Sequence, residues 1–83
     1  MSVQRFRKIA TVLAERQTLG GQVVTPEGVM SYEAGDYLVT DNPPTHVWPV
    51  KRAIFEATHE QDPYAPEDDL LNRFRAMLVR FKE

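Results

Sequence analysis

The chain has 83 residues, 42% of them hydrophobic and 27% charged, with no cysteine and a formal net charge of −2. That length fits one small domain with a modest core. The missing cysteines exclude a disulfide scaffold, a thiolate metal site and a cysteine nucleophile, and no apolar run reaches the ~18 residues a membrane-spanning helix needs. Residues 1–8 lack the apolar stretch of a secretory signal, so a reduced, cytoplasmic setting is expected. The net charge conceals a segregation: +3 over residues 1–16, −4 over 17–50, −4 over 51–69 and +3 over 70–83. Both ends are basic and the middle is acidic.

In chain order, residues 6–16 fit either a helix (Phe6, Ile9, Ala10, Leu13) or a buried strand, and the β-branched Ile9, Thr11 and Val12 favour the strand. Gly20-Gly21 breaks it. Gln22-Val23-Val24-Thr25 and Val29-Met30-Ser31-Tyr32 read as a hairpin around Pro26-Glu27-Gly28, where proline presets φ and glycine permits a positive one. Glu33-Ala34-Gly35-Asp36 is a second turn, with Gly35 where a type II turn needs positive φ. Tyr37-Leu38-Val39-Thr40 follows as a strand, then a proline-bearing loop. His46-Val47-Trp48 is a further strand stopped by Pro49. A short turn or a single helical turn over residues 51–54 leads to a last strand, Phe55-Glu56-Ala57-Thr58-His59-Glu60.

Residues 62–66 form a linker, and a helix is predicted over 66–82. Pro66 suits its first position. Glu67, Asp68 and Asp69 favour its N-terminal dipole, and Arg80 and Lys82 its C-terminal one. Leu70, Phe74, Met77, Leu78 and Phe81 form one apolar stripe with Leu71 at its edge. The expected fold is α+β: a small, strongly bent antiparallel sheet or partial barrel of five or six short strands (residues 1–61) with a C-terminal α-helix (67–83).

Three segments taken together, Ala34-Gly35-Asp36-Tyr37, Trp48-Pro49 and Phe55-Glu56-Ala57-Thr58-His59-Glu60, make residues 5–61 resemble a group of small phage, prophage and bacterial proteins. That group is built around a Pro-Gly-Asp-Tyr or Pro-Gly-Asp-Trp turn, and Arg7-Lys8-Ile9-Ala10-Thr11-Val12 matches its opening strand. Ala34 stands where the group has proline and His59 where it has tyrosine. The resemblance implies an architecture in which the closing strand lies beside the first, and a mobile-element context. It implies no catalytic residues.

Several constellations bear on function. His46 and His59, with Asp36, Asp41, Glu56 or Glu60, contain the side chains of an acid–base pair or a two-histidine metal site, but their separation matches no ligand motif. Ser2 is near the terminus and Ser31 lies in a hairpin without a nucleophile elbow. Gly20, Gly21, Gly28 and Gly35 are scattered before strands, which suits turns and not a phosphate-cradling loop. Tyr32, Tyr37 and Trp48 have the makings of a base-stacking platform, yet their strands carry acidic residues and no lysine or arginine. The helix stripe either completes the domain's own core or, because a disulfide-free β module of ~60 residues is marginal alone, pairs with a partner or a second copy.

The reading is therefore a non-enzymatic protein-interaction module, an accessory, inhibitor or adaptor of phage or prophage origin. It requires no cofactor or metal. A protein partner or homodimer contact would fall at Leu70, Phe74, Met77, Leu78 and Phe81. One alternative is nucleic-acid binding through a basic patch of Arg5, Arg7, Lys8, Arg73, Arg75 and Arg80. The other is a ligand-binding domain or enzyme built around Asp36, His46 and Trp48.

Overall fold

The hairpin forms where turn chemistry calls for it. Strands β2 (Gly21–Thr25) and β3 (Gly28–Tyr32) pair antiparallel, with Thr25 opposite Gly28 and only Pro26 and Glu27 between them. Thr25 Oγ1 accepts the Glu27 N–H at 3.2 Å and donates to the Gly28 carbonyl at 2.8 Å, and Gly28 takes φ +115°. At the far end Gly21 faces Tyr32, and a Cβ at residue 21 would lie 2.8 Å from the Tyr32 hydroxyl. Glycine there makes room for the buried tyrosine ring. This computed structural model describes residues 2–5, 11–41, 44–61 and 68–82.

A second sheet has the order β1-β4-β5, with β1 (Val12–Arg16), β4 (Tyr37–Asp41) and β5 (Val47–Val50) all antiparallel. As the central strand, β4 is buried on both faces at Leu38, Val39 and Thr40. Helix α1 (Arg52–Thr58) follows β5, and α2 (Asp68–Phe81) closes the fold. The architecture is α+β, with five short antiparallel strands in two sheets that do not close into a barrel.

The α2 stripe turns inward. Phe74 and Leu78, 3% and 4% exposed, join Val23, Tyr32, Leu38 and Val47 in one core, while Leu13, Met77 and Phe81 pack against it half-buried. Asp68 and Asp69 occupy the first turn and Arg80 the last, as the dipole favours. Lys82, just past the helix, bridges antiparallel to Val23, and its Nζ lies 3.8 Å from Glu15 Oε1. Thus α2 covers the core and its trailing residue occupies the outer edge of β2.

Three expectations need correction. Phe55 to Thr58 belong to α1 and form no closing strand. The alternation at Phe55, Ala57 and His59 resembled a strand, but Phe55 and His59 are also four apart, on one helical face, where their rings stack at 4.2 Å. With no closing strand, β1 lies beside β4. Pro49 does not stop β5 but pairs with Leu38 inside it. This is an edge strand, so a proline without an N–H fits on its unpaired side. The first described strand starts at Val12, and Arg7, Lys8, Ile9 and Ala10 lie outside the described residues, as do the linker 62–66 and Glu67.

Candidate functional site

Two concave regions lie at opposite ends of β4. The first begins with the turn at residues 33–36. Its Asp36 N–H donates to the Glu33 carbonyl at 3.0 Å, with Gly35 at φ +95° in the third position, so a type II turn forms as glycine allows. The backbone of buried Gln17 fastens this turn to the end of β1: its N–H donates to the Asp36 carbonyl at 2.8 Å and its carbonyl accepts from Gly35 at 2.7 Å. The Asp36 carboxylate is buried. Oδ2 accepts from the Glu33 N–H at 2.9 Å and from Lys51 Nζ at 3.0 Å, and Oδ1 from the Arg52 N–H at 3.3 Å.

Arg52 is the first residue of α1, whose own N-cap, Lys51, supplies no side-chain bond. Asp36 therefore caps a helix from across the fold. The Glu33 amide, foremost, and then Lys51 and the Arg52 amide hold its carboxyl below the usual range against the opposing effect of burial. Such a carboxylate is a structural anchor, fully occupied by its own chain.

Around this anchor the side chains interlock. Tyr37 stacks on Phe55 at 4.2 Å, and Phe55 stacks on His59. The Tyr37 hydroxyl donates to Glu56 Oε2 at 3.0 Å, and Arg52 Nε donates to Glu56 Oε1 at 3.1 Å. Desolvation and the Glu56 carboxylate raise the Tyr37 pKa, while Arg52 and Tyr37 lower that of Glu56. Residues quoted above from two separate segments, Asp36-Tyr37 and Phe55-Glu56 with His59, thus meet in space. Against them lies a cleft of about 600 Å³ lined by Arg16, Gln17, Thr18, Ala34, Gly35 and Arg52.

The second region is a groove of about 350 Å³ between the hairpin and β5, lined by Pro26, Met30, Trp48 and Pro49 with Thr25, Glu27, Asp41 and His46. Apolar side chains form its floor and two carboxylates its rim. Asp41 Oδ2 accepts from Thr45 Oγ1 at 2.9 Å. Beside the groove runs β3, exposed from Gly28 to Ser31 and without a ladder partner on its outer side among the described residues. Val29 and Met30 are 53% and 39% exposed.

The sequence-derived sites are redistributed. His46 and Trp48 share the groove, but Asp36 is at the other end of β4, so that trio does not assemble. His59 Nδ1 lies 2.9 Å from Thr58 Oγ1 and 3.2 Å from the Phe55 carbonyl, a local contact at the end of α1. No cluster of three or more His, Asp or Glu able to hold a metal occurs among the described residues. Of the stripe, Phe74 and Leu78 are consumed by the core, Met77 and Phe81 pack on it, and Leu70 is half-buried.

Of the basic patch, Arg7 and Lys8 lie outside the described residues, and Arg5 is exposed. Arg73 and Arg80, seven apart, share one flank of α2, while Arg75 projects from the other. They form no single patch. Arg80 sits 5.4 Å over the Phe81 ring. No helix is long and apolar enough to cross a membrane among the described residues.

Sequence reasoning missed that Arg16 and Arg52 line one cleft and that Met30 and Trp48 line one groove, because each pair comes from elements remote in sequence. The four-residue spacing of Arg52 and Glu56 was a usable local sign of α1. Comparison with protein-family models, curated proteins and solved structures finds no match.

Proposed function

We propose that this protein is a non-enzymatic interaction module that binds a protein partner by adding one of the partner's strands to the edge of β3. The observation that carries this reading is the state of that edge. Proteins guard exposed strand edges with charge, proline, bulges or a covering segment. β3 reads Gly-Val-Met-Ser-Tyr, with no charge and no proline, whereas the outer edge of its partner β2 is occupied by Lys82. A strand laid along β3 gains main-chain hydrogen bonds and reaches the groove at Met30, Pro26 and Trp48 with an apolar side chain. Glu27 and Asp41 on the rim favour a segment that also carries lysine or arginine.

The α2 stripe is mostly committed to the core, so the contact moves from the helix to the hairpin. The resemblance to small phage and prophage proteins extends the proposal to an accessory, inhibitor or adaptor acting on a host protein.

Affinity capture with the intact chain and with Val29→Lys/Met30→Lys tests the reading. Both residues are exposed, so the variant should keep its circular dichroism spectrum and melting point. Loss of the captured proteins from the variant is the expected result. Their full retention removes β3 as the contact. Sedimentation of both forms shows whether the partner is a second copy, which would appear as a dimer that the two lysines dissolve.

A further inference from the structure

We infer that the cleft between Arg16 and Arg52 binds a small phosphate monoester, at a site separate from the β3 edge. Three segments meet there: the end of β1 with Gln17 and Thr18, the turn at Ala34 and Gly35, and the start of α1. Its walls are fixed before any ligand arrives. The Gln17 backbone holds the turn from both sides, and Asp36 fastens that turn to the first amide of α1.

Gly35 leaves the floor bare. A Cβ at that position would stand 3.6 Å from Arg52 Cδ and 3.9 Å from Arg16 Nη2, so both arginine side chains border this one point. Two cationic side chains that border one point favour an anion beside them.

The nearby carboxylates fill that role only in part. Asp36 is buried and directed at Lys51 and at main-chain amides. Glu33 lies 4.0 Å from Lys51 and forms no ion pair with either arginine among the described residues. Glu56 accepts hydrogen bonds from Arg52 Nε and the Tyr37 hydroxyl and also feels the Arg16 charge, so it offsets one of the two positive charges. Arg52 keeps its terminal nitrogens, and Arg16 forms no ion pair among the described residues.

A guanidinium presents its donors as a rigid fork suited to tetrahedral and planar oxyanions, and two such forks suit the three terminal oxygens of a phosphate monoester better than the two of a carboxylate. The Thr18 hydroxyl adds a neutral donor at the rim. The mouth is wide enough for the organic part of a small ester to remain outside. A long polyanion would meet the acidic residues Glu33 and Glu56 nearby, which favours a small ligand over a nucleic acid strand.

The test is an NMR titration of the intact chain at constant ionic strength with phenyl phosphate, inorganic phosphate, benzoate and a short oligothymidylate. Saturable shifts confined to the amides of Thr18 and Gly35 and the side chains of Arg16 and Arg52 are expected with both phosphates, and weaker ones with benzoate. Arg16→Gln should weaken phenyl phosphate binding about tenfold. Arg73→Gln on α2 should leave it unchanged. Arg16 is exposed and unpaired among the described residues, so its variant should stay folded, and its spectrum shows this directly. Non-saturating or scattered shifts, equal weakening by Arg73→Gln, or a response to the oligothymidylate alone would overturn the assignment.

Discussion

At the start of β4, Asp36 commits both carboxylate oxygens to a turn, a lysine and a helix amide. At its end Asp41 holds one exposed hydrogen bond to Thr45 on the rim of an apolar groove. One strand thus joins a polar end, saturated by its own chain, to an end where apolar side chains line a groove and the β3 edge has no outer ladder partner among the described residues. The contrast shows where a chain of 83 residues places its order. The polar contacts fix the relation between β1, the turn and α1, so the hairpin end can carry exposed groups without loosening the sheet.

That contrast depends on β4 as a shared spine, and Leu38→Ala tests it most severely. Leu38 is fully buried, and its truncation should cost about 2–5 kcal/mol and lower the melting of both ends together. A loss below about 1 kcal/mol, read by circular dichroism, would mean that the ends are stabilised separately.

Next in size is the comparison of the two aspartates. Asp36→Ala removes the acceptor for two main-chain amides and should cost about 2 kcal/mol, a figure that discounts the half-exposed Lys51. Asp41→Ala should stay within about 0.5 kcal/mol. Equal effects in chemical denaturation would erase the distinction.

The same anchor sets a pH window. The Asp36 carboxyl is lowered in the folded state, foremost by the Glu33 amide, so its contribution is present above the ordinary carboxylate pKa and is lost as pH falls through the folded value. Acid melting should therefore steepen below about pH 4, and Asp36→Asn should flatten that slope. On the alkaline side Lys51 is raised, mainly by Asp36, and Tyr37 by desolvation and Glu56. Their contributions are lost as pH rises through the raised values.

Gly35→Ala should cost about 1 kcal/mol because residue 35 sits at φ +95° although a methyl group would find room. An effect of similar size carries the opposite sign. Among the described residues Thr40 Oγ1 is buried without a hydrogen-bond partner, and Thr40→Val should stabilise by about 1 kcal/mol in the same assay.

The local parts of this architecture were legible in the sequence. The Pro26–Gly28 hairpin, the positive φ of Gly35 and the α2 stripe each follow from a few neighbouring residues whose chemistry admits one conformation. Segment 55–59 was not legible, because its helix depends on a cap supplied by Asp36 and on a ring from Tyr37, both remote in sequence. For the same reason Asp36 read as a candidate functional carboxylate, although its partners are the chain's own amides. The cleft was hidden too: Arg16 and Arg52 belong to segments of opposite net charge, and it takes both the register of β1 on β4 and the Asp36 cap on α1 to bring them to the same glycine.

The bridge between Lys82 and Val23 also bears on synthesis. The β2–β3 hairpin is complete in sequence by Tyr32, long before the residue that covers its outer edge has left the ribosome. During that interval Val23 lacks its bridge, so a chaperone or a neighbouring nascent chain meets more unpaired main chain at that edge than the finished protein shows. The bridge forms only after α2 has been made.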